Sequence, residues 1–228
     1  MKRPTQRLAL TALLALAPLP LLAAGTATLN TGSGNVDLSW HDAQTLRMHT
    51  AQSPGYMLLR EGKIYMVNPE GSGMPPVLEL SSMMQGLMQG DGQQNDPLST
   101  ALSTRVESVK PMGRKETVAG MAGEVYALTT TDDSGQSKTQ EAVLSGNALA
   151  VEMTQAFMNL HAAMVGEEKP QQFLEALPGG QRGVLRVGQD MVVHALSSDA
   201  PAAADFDLPA APMDMGSMMQ QMMKQMQR

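Results

Sequence analysis

The sequence predicts an α+β fold, a strongly curved antiparallel β-sheet with helices covering one face. Three observations carry the prediction. Between Arg114 and Ser145, Thr117-Val118-Ala119-Gly120 and then Glu124 to Thr129 alternate in the strand period. Asp132-Asp133-Ser134-Gly135 supplies turn chemistry, and Thr139 to Leu144 alternates again. The same hairpin grammar recurs along the chain, for about eight strands or more. Twice the apolar period changes from that of a strand to that of a helix, over residues 77–89 and 150–165.

Residues 1–27 read as an export signal. Lys2, Arg3 and Arg7 form a basic start, Leu8 to Leu22 an apolar run broken by Pro18 and Pro20, and Ala23, Ala24, Gly25 and Ala27 supply small residues for cleavage near Gly25 or Ala27. An uncleaved anchor is the alternative, but the run is short and Pro-broken for a span. No Cys follows to accept a lipid. The expectation is a secreted or periplasmic bacterial protein whose mature chain has no integral membrane segment.

The β-rich domain is expected over residues 28–198. Thr28 to Trp40 reads as a first strand, with Val36, Leu38 and Trp40 on one face, and Ala43 to Thr50 as a second. Gly55 to Asn68 is the clearest hairpin, because its Glu61-Gly62 turn ends in the residue that tight hairpins need for positive φ. Pro69 to Pro76 breaks the sheet pattern. Val77, Leu80, Met84, Leu87 and Met88 then recur at helical spacing behind Pro75-Pro76, predicting a helix over 77–89 that Gly90 ends. Residues 90–100 are polar and loop-like. Arg105 to Lys110 is a strand leading through Pro111 and Gly113 into the central hairpin.

Residues 150–165 make the best helix, with Met153, Phe157, Leu160 and Met164 in one stripe and Gly166 at the stop. A helical turn over 171–177 follows Pro170. Gly183 to Val187 and Met191 to Leu196 form the last hairpin. Residues 199–212 are an Ala/Pro-rich linker in which Phe206 and Leu208 suggest an edge strand, and residues 213–228 are a Met-rich amphipathic helix or tail.

Removing the signal takes three of the 16 basic residues and leaves 13 against 22 acidic ones, a net charge near −9. That sign argues against nucleic acid, and against anionic lipid headgroups bound by charge alone. No Cys is present, so an oxidising compartment is tolerated without disulfide staples. Aromatic residues are scarce at 3%, and 21 Met do much of the apolar filling.

The runs YMLLREGKIYMVNPE and ESVKPMGRKETVAGMAGEVYALTTTDDSGQ resemble an uncharacterised family of periplasmic β proteins, a domain of unknown function. That family is similar to the lipoprotein carriers of the Gram-negative periplasm. The resemblance covers roughly residues 30 to 198 and implies an incomplete barrel plugged by helices. It brings no catalytic residues, and the Met-rich tail lies outside the family pattern.

The tail places Met215, Met218, Met219, Met222, Met223 and Met226 at helical spacing, within an arc of ~140° at ~100° per residue. Such a stripe suits adaptable apolar contact with a cavity or a partner helix. Thioether sulfur also suits Cu(I), and Met213, Met215, Met218, Met219, Met222, Met223 and Met226 are the candidate ligands. Met83, Met84 and Met88 could form a second group, with His41 and His49, or His161 and His194, adding imidazole; each His alone reads more simply as packed or exposed. No H-E-x-x-H, G-x-S-x-G, S-x-x-K, phosphate-loop or EF-hand pattern occurs, so no enzyme is expected.

The sequence therefore points to a non-catalytic periplasmic binding or carrier protein without a cofactor, whose partner is a hydrophobic small molecule, a lipid or another periplasmic protein. Tyr56, Leu58, Tyr65 and Tyr126 are expected at the concave face, with Leu80, Met84, Phe157, Leu160 and Met164 contributed by the covering helices. A Cu(I)-binding protein and an interaction module docking through its tail are the alternatives.

Overall fold

The structure, a computed structural model, describes residues 24–32, 34–71, 73–81, 105–132, 134–166 and 168–214. Most of the predicted export signal, Met84 with the remainder of the 77–89 helix, the 90–100 loop, and Met215, Met218, Met219, Met222, Met223 and Met226 lie outside these residues.

Strands β1 (Gly25–Thr31), β2 (Gly34–Asp42), β3 (Thr45–Thr50), β4 (Tyr56–Arg60), β5 (Lys63–Val67) and β6 (Val77–Glu79) form one antiparallel meander. β7 (Arg105–Val118), β8 (Met121–Thr131), β9 (Ser137–Ser145), β10 (Gly183–Val187) and β11 (Met191–Ser197) form a second. Antiparallel pairing of β1 with β11 joins the two into a single sheet. A two-residue strand, β12 (Met213–Asp214), adds parallel to β6 at one edge, and β7 is the other. The sheet is open, since its edge strands do not pair with each other.

It is also curled. β7 lies four strands from β11 in the ladder, roughly 19 Å if the sheet were flat. Their Cα atoms nevertheless approach within 8 Å, and Arg186 on β10 reaches Glu116 on β7 at 2.8 Å. β7 is irregular between Pro111 and Lys115, where β8 advances only from Tyr126 to Glu124, and such bulges bend a strand.

Helix α1 (Ala148–Val165) and helix α2 (Glu168–Ala176) are inserted between β9 and β10. Asn147 starts α1 by accepting a hydrogen bond from the Leu149 N–H at 2.9 Å, and Gly166 stops it at φ 99°. The helix crosses the inner face against β10, β2, β3, β5, β1 and β11. Thr154 docks it: its buried Oγ1 accepts the Val184 N–H at 2.8 Å and donates to the Ala150 carbonyl at 2.8 Å. The β9–β10 register slips between Val184 and Arg186, so here a helix hydroxyl meets a strand donor. Only glycine tolerates this approach at Gly183, where a Cβ would lie 2.7 Å from the Ala150 Cβ.

Several expectations are corrected. The first strand is two, because β1 ends at Thr31 and a new strand begins at Gly34, so that Val36, Leu38 and Trp40 belong to β2. Strand β1 begins at Gly25, and Ala27 on it is 4% exposed. Val77 to Glu79 is strand rather than the start of a helix; β5 supplies one ladder and β12 another, and tertiary pairing outweighs the local period. Arg105 to Val118 is one bulged strand that absorbs Pro111 and Gly113, and the tight turn falls at Ala119-Gly120. Phe206 sits on a 3-10 turn, Ala203–Phe206, and the edge strand lies later, at Met213.

Candidate functional site

Helix α1 carries apolar residues on nearly every side, so it is enclosed rather than laid on a surface. Toward the sheet it leaves a small apolar cavity of about 30 Å3, bounded by residues including Leu29, Leu38, Leu128, Met153 and Phe157 from α1 and the strands, and Phe173 from α2. That volume holds little more than water and is far below the few hundred Å3 of a small-molecule pocket. The inner face is largely filled by the protein's own side chains.

A second, wider space opens at the α1–α2 junction, a cleft of about 620 Å3. Its apolar wall comes from Leu59, Met158, Ala162, Ala163 and Leu174, and its rim from Gln44, Asn159, Gln171, Glu175 and Arg182. Met158, an unbranched thioether, lines both the open cleft and the small cavity. Pattern reading passed over Met158 because it lies off the Met153–Phe157–Leu160–Met164 stripe. The signal was available in Ala156, Met158, Ala162 and Ala163, which make the helix apolar on its other side as well.

Two titratable groups on α1 are unusual. His161 is 2% exposed and its Nε2 has no hydrogen-bond partner. Burial, aided by the positive charge of Lys169, pushes the imidazole down to about 4, so it is neutral at pH 7. Glu152 keeps one buried carboxylate oxygen unpartnered, and burial raises its carboxyl against a hydrogen bond from the Ala43 backbone. Asn159 holds the same turn by donating to the Ala43 carbonyl at 2.6 Å.

The predicted site residues divide between two faces. Phe157 lines the small cavity, Leu160 is fully buried in the main core, and Met164 and Leu80 pack against that core. Tyr126 also belongs to it at 5% exposure. Its hydroxyl donates to Glu124 Oε2 at 3.0 Å, and burial raises its pKa. Tyr56, Leu58 and Tyr65 do not join them. They occupy the opposite face of β4 and β5, in a separate cluster with Val67, Val77 and Phe206. The segment after β11 returns across that face as a strap, fixed where Arg60 donates to the Phe206 carbonyl at 3.2 Å and to Asp207 Oδ1 at 2.8 Å. The three residues are apolar because a distant part of the chain covers them, and the concave-face placement does not hold for them.

Of the tail methionines predicted as metal ligands only Met213 is described, on β12 beside Leu78. Among the described residues no cluster of three His, Asp or Glu side chains could hold a metal ion, and no helix is long and apolar enough to cross a membrane. No family model, curated protein or solved structure matches this chain.

Proposed function

We propose that the protein is a non-catalytic periplasmic binding or carrier protein for a hydrophobic ligand or a lipidated partner, with the α1–α2 cleft as its entrance. In this reading the curled open sheet is an incomplete barrel and α1 is its plug, as in the lipoprotein carriers that the sequence resembles. The observation that carries the proposal is Met158. A polar-rimmed cleft of ligand size and a small apolar cavity share this residue in their walls, and its side chain is of the unbranched, flexible kind that can change rotamer to admit a ligand. An acyl chain entering past it would extend the small cavity along the inner face of the sheet.

Displacement of a fluorescent fatty acid from the purified chain tests this. The parent binds the probe, Ala162→Trp blocks the cleft and abolishes binding, and Met158→Ala retains it. Absence of probe binding by the parent, or equal binding by the Trp variant, overturns the proposal.

A further inference from the structure

The register of the first meander sets a row of sulfur atoms across the sheet. Met48 on β3 lies directly opposite Met57 on β4, and Met57 lies opposite Met66 on β5. The next row toward α1, on the same face, is Leu46, Leu59 and Ile64, again in direct register. Those three are 0%, 1% and 0% exposed, whereas all three Met are half-buried. On these three strands the residue type changes from branched aliphatic to thioether from one row to the next, and the thioether row is bounded by the buried Leu38 on β2 and Leu78 on β6. Half-covered strand positions ordinarily favour β-branched, aromatic or polar side chains, and Met is none of these. Three in one ladder row is not explained by strand preference.

We propose that Met48, Met57 and Met66 form a binding site for a soft monovalent cation, Cu(I), on the inner face of the sheet. Thioether sulfur selects Cu(I) over hard divalent cations. Neighbouring strands lie roughly 4.8 Å apart, so the outer two Met stand roughly 10 Å apart with the third between them. Each Met is unbranched with three rotatable bonds, and the outer pair can lean over the central one to give a three-sulfur trigonal set. The remaining inner-facing positions of these strands carry no charge: Thr50 beyond Met48, Asn68 beyond Met66, and the aliphatic row behind. The chain has a net charge of −6 and no Cys to compete for the ion. Thioethers need not lose a proton to bind, so affinity is independent of pH, unlike that of an imidazole or thiolate site.

The site is distinct from the Met-rich tail, and one experiment separates them. The full chain, labelled at its Met methyl carbons, is titrated with Ag(I) as a redox-inert probe, and Cu(I) affinity is measured by competition with a chromophoric chelator at pH 5 and pH 7. The methyl resonances of Met48, Met57 and Met66, assigned by single Met→Leu variants, shift together at one equivalent. The triple Met→Leu variant, which conserves volume, binds Cu(I) more weakly by about tenfold or more, the scale on which even outer-shell changes act. A chain ending at Pro212 still shifts the same three resonances. Unchanged affinity in the triple variant, binding lost only in the truncated chain, or Ag(I) shifts confined to other methionines overturns the proposal. Should the triple variant fail to fold, the shifts in the parent chain decide the matter.

Discussion

Replacing His161 by Leu should flatten the dependence of stability on pH between 7 and 5. The imidazole is buried on α1 and neutral, with a folded pKa of about 4 against about 6.5 in the unfolded chain. Below pH 6.5 the unfolded chain takes up a proton that the folded chain refuses, so stability is lost as pH falls toward 4. At pH 7 the two states bind almost the same number of protons at this site and the penalty is about 0.2 kcal/mol. At pH 5 the unfolded His is almost fully charged while the folded one is about one-tenth charged, and the penalty reaches about 2 kcal/mol. Urea unfolding of parent and H161L at both pH values measures it. The parent should lose about 2 kcal/mol more than the variant between pH 7 and pH 5. Taking the difference between the two chains removes Glu152, whose raised carboxyl works in the opposite sense and favours folding as pH falls. Identical pH slopes for parent and H161L would refute the assignment of a buried, proton-refusing imidazole.

Thr154→Val should cost about 1–3 kcal/mol, because it keeps the shape and strands the buried Val184 N–H; Thr154→Ser should cost less, and exchange of the Val184 amide should quicken only in the Val variant. Phe206→Ala should cost about 3 kcal/mol or more in urea unfolding, since this ring is 2% exposed and seals the Leu58–Tyr65 cluster. Arg186→Met should cost about 1–3 kcal/mol at pH 7, as it takes from Glu116 the guanidinium that binds both its oxygens, while Glu141 keeps Arg114. Arg186→Lys should recover part of that cost, measured by the same urea unfolding.

Local chemistry made much of the fold legible. The Glu61-Gly62 turn, with both φ values positive at 53° and 73°, is the hairpin turn that the residue pair implied. Helix α1 begins and ends within two residues of the predicted span 150–165, because Asn147 and Gly166 are ordinary start and stop chemistry. Long-range partners were not legible. Whether Leu58 or Leu59 faces the core depends on α1 and on the strap, and both faces of β4 are covered, so alternation there carries no direction. Val77 takes a strand because Met213 and Tyr65's strand lie beside it, more than a hundred residues away on one side. The cleft was hidden for the same reason: it belongs to neither helix alone but to their crossing, and its key residue, Met158, sits off the stripe that pattern reading follows.

The strap has a consequence for how the chain is made. Synthesis delivers the first six strands long before residues 203–214, yet Leu58, Tyr65, Val67 and Val77 are sheltered only once those residues return. Until then the nascent meander shows grease on both sides, since α1 also comes later. Such a topology, rich in contacts between distant parts of the sequence, folds late and slowly. A ribosome that stopped at Ser198 would release a sticky, two-sided ribbon, prone to pair with its own kind instead of with its missing end.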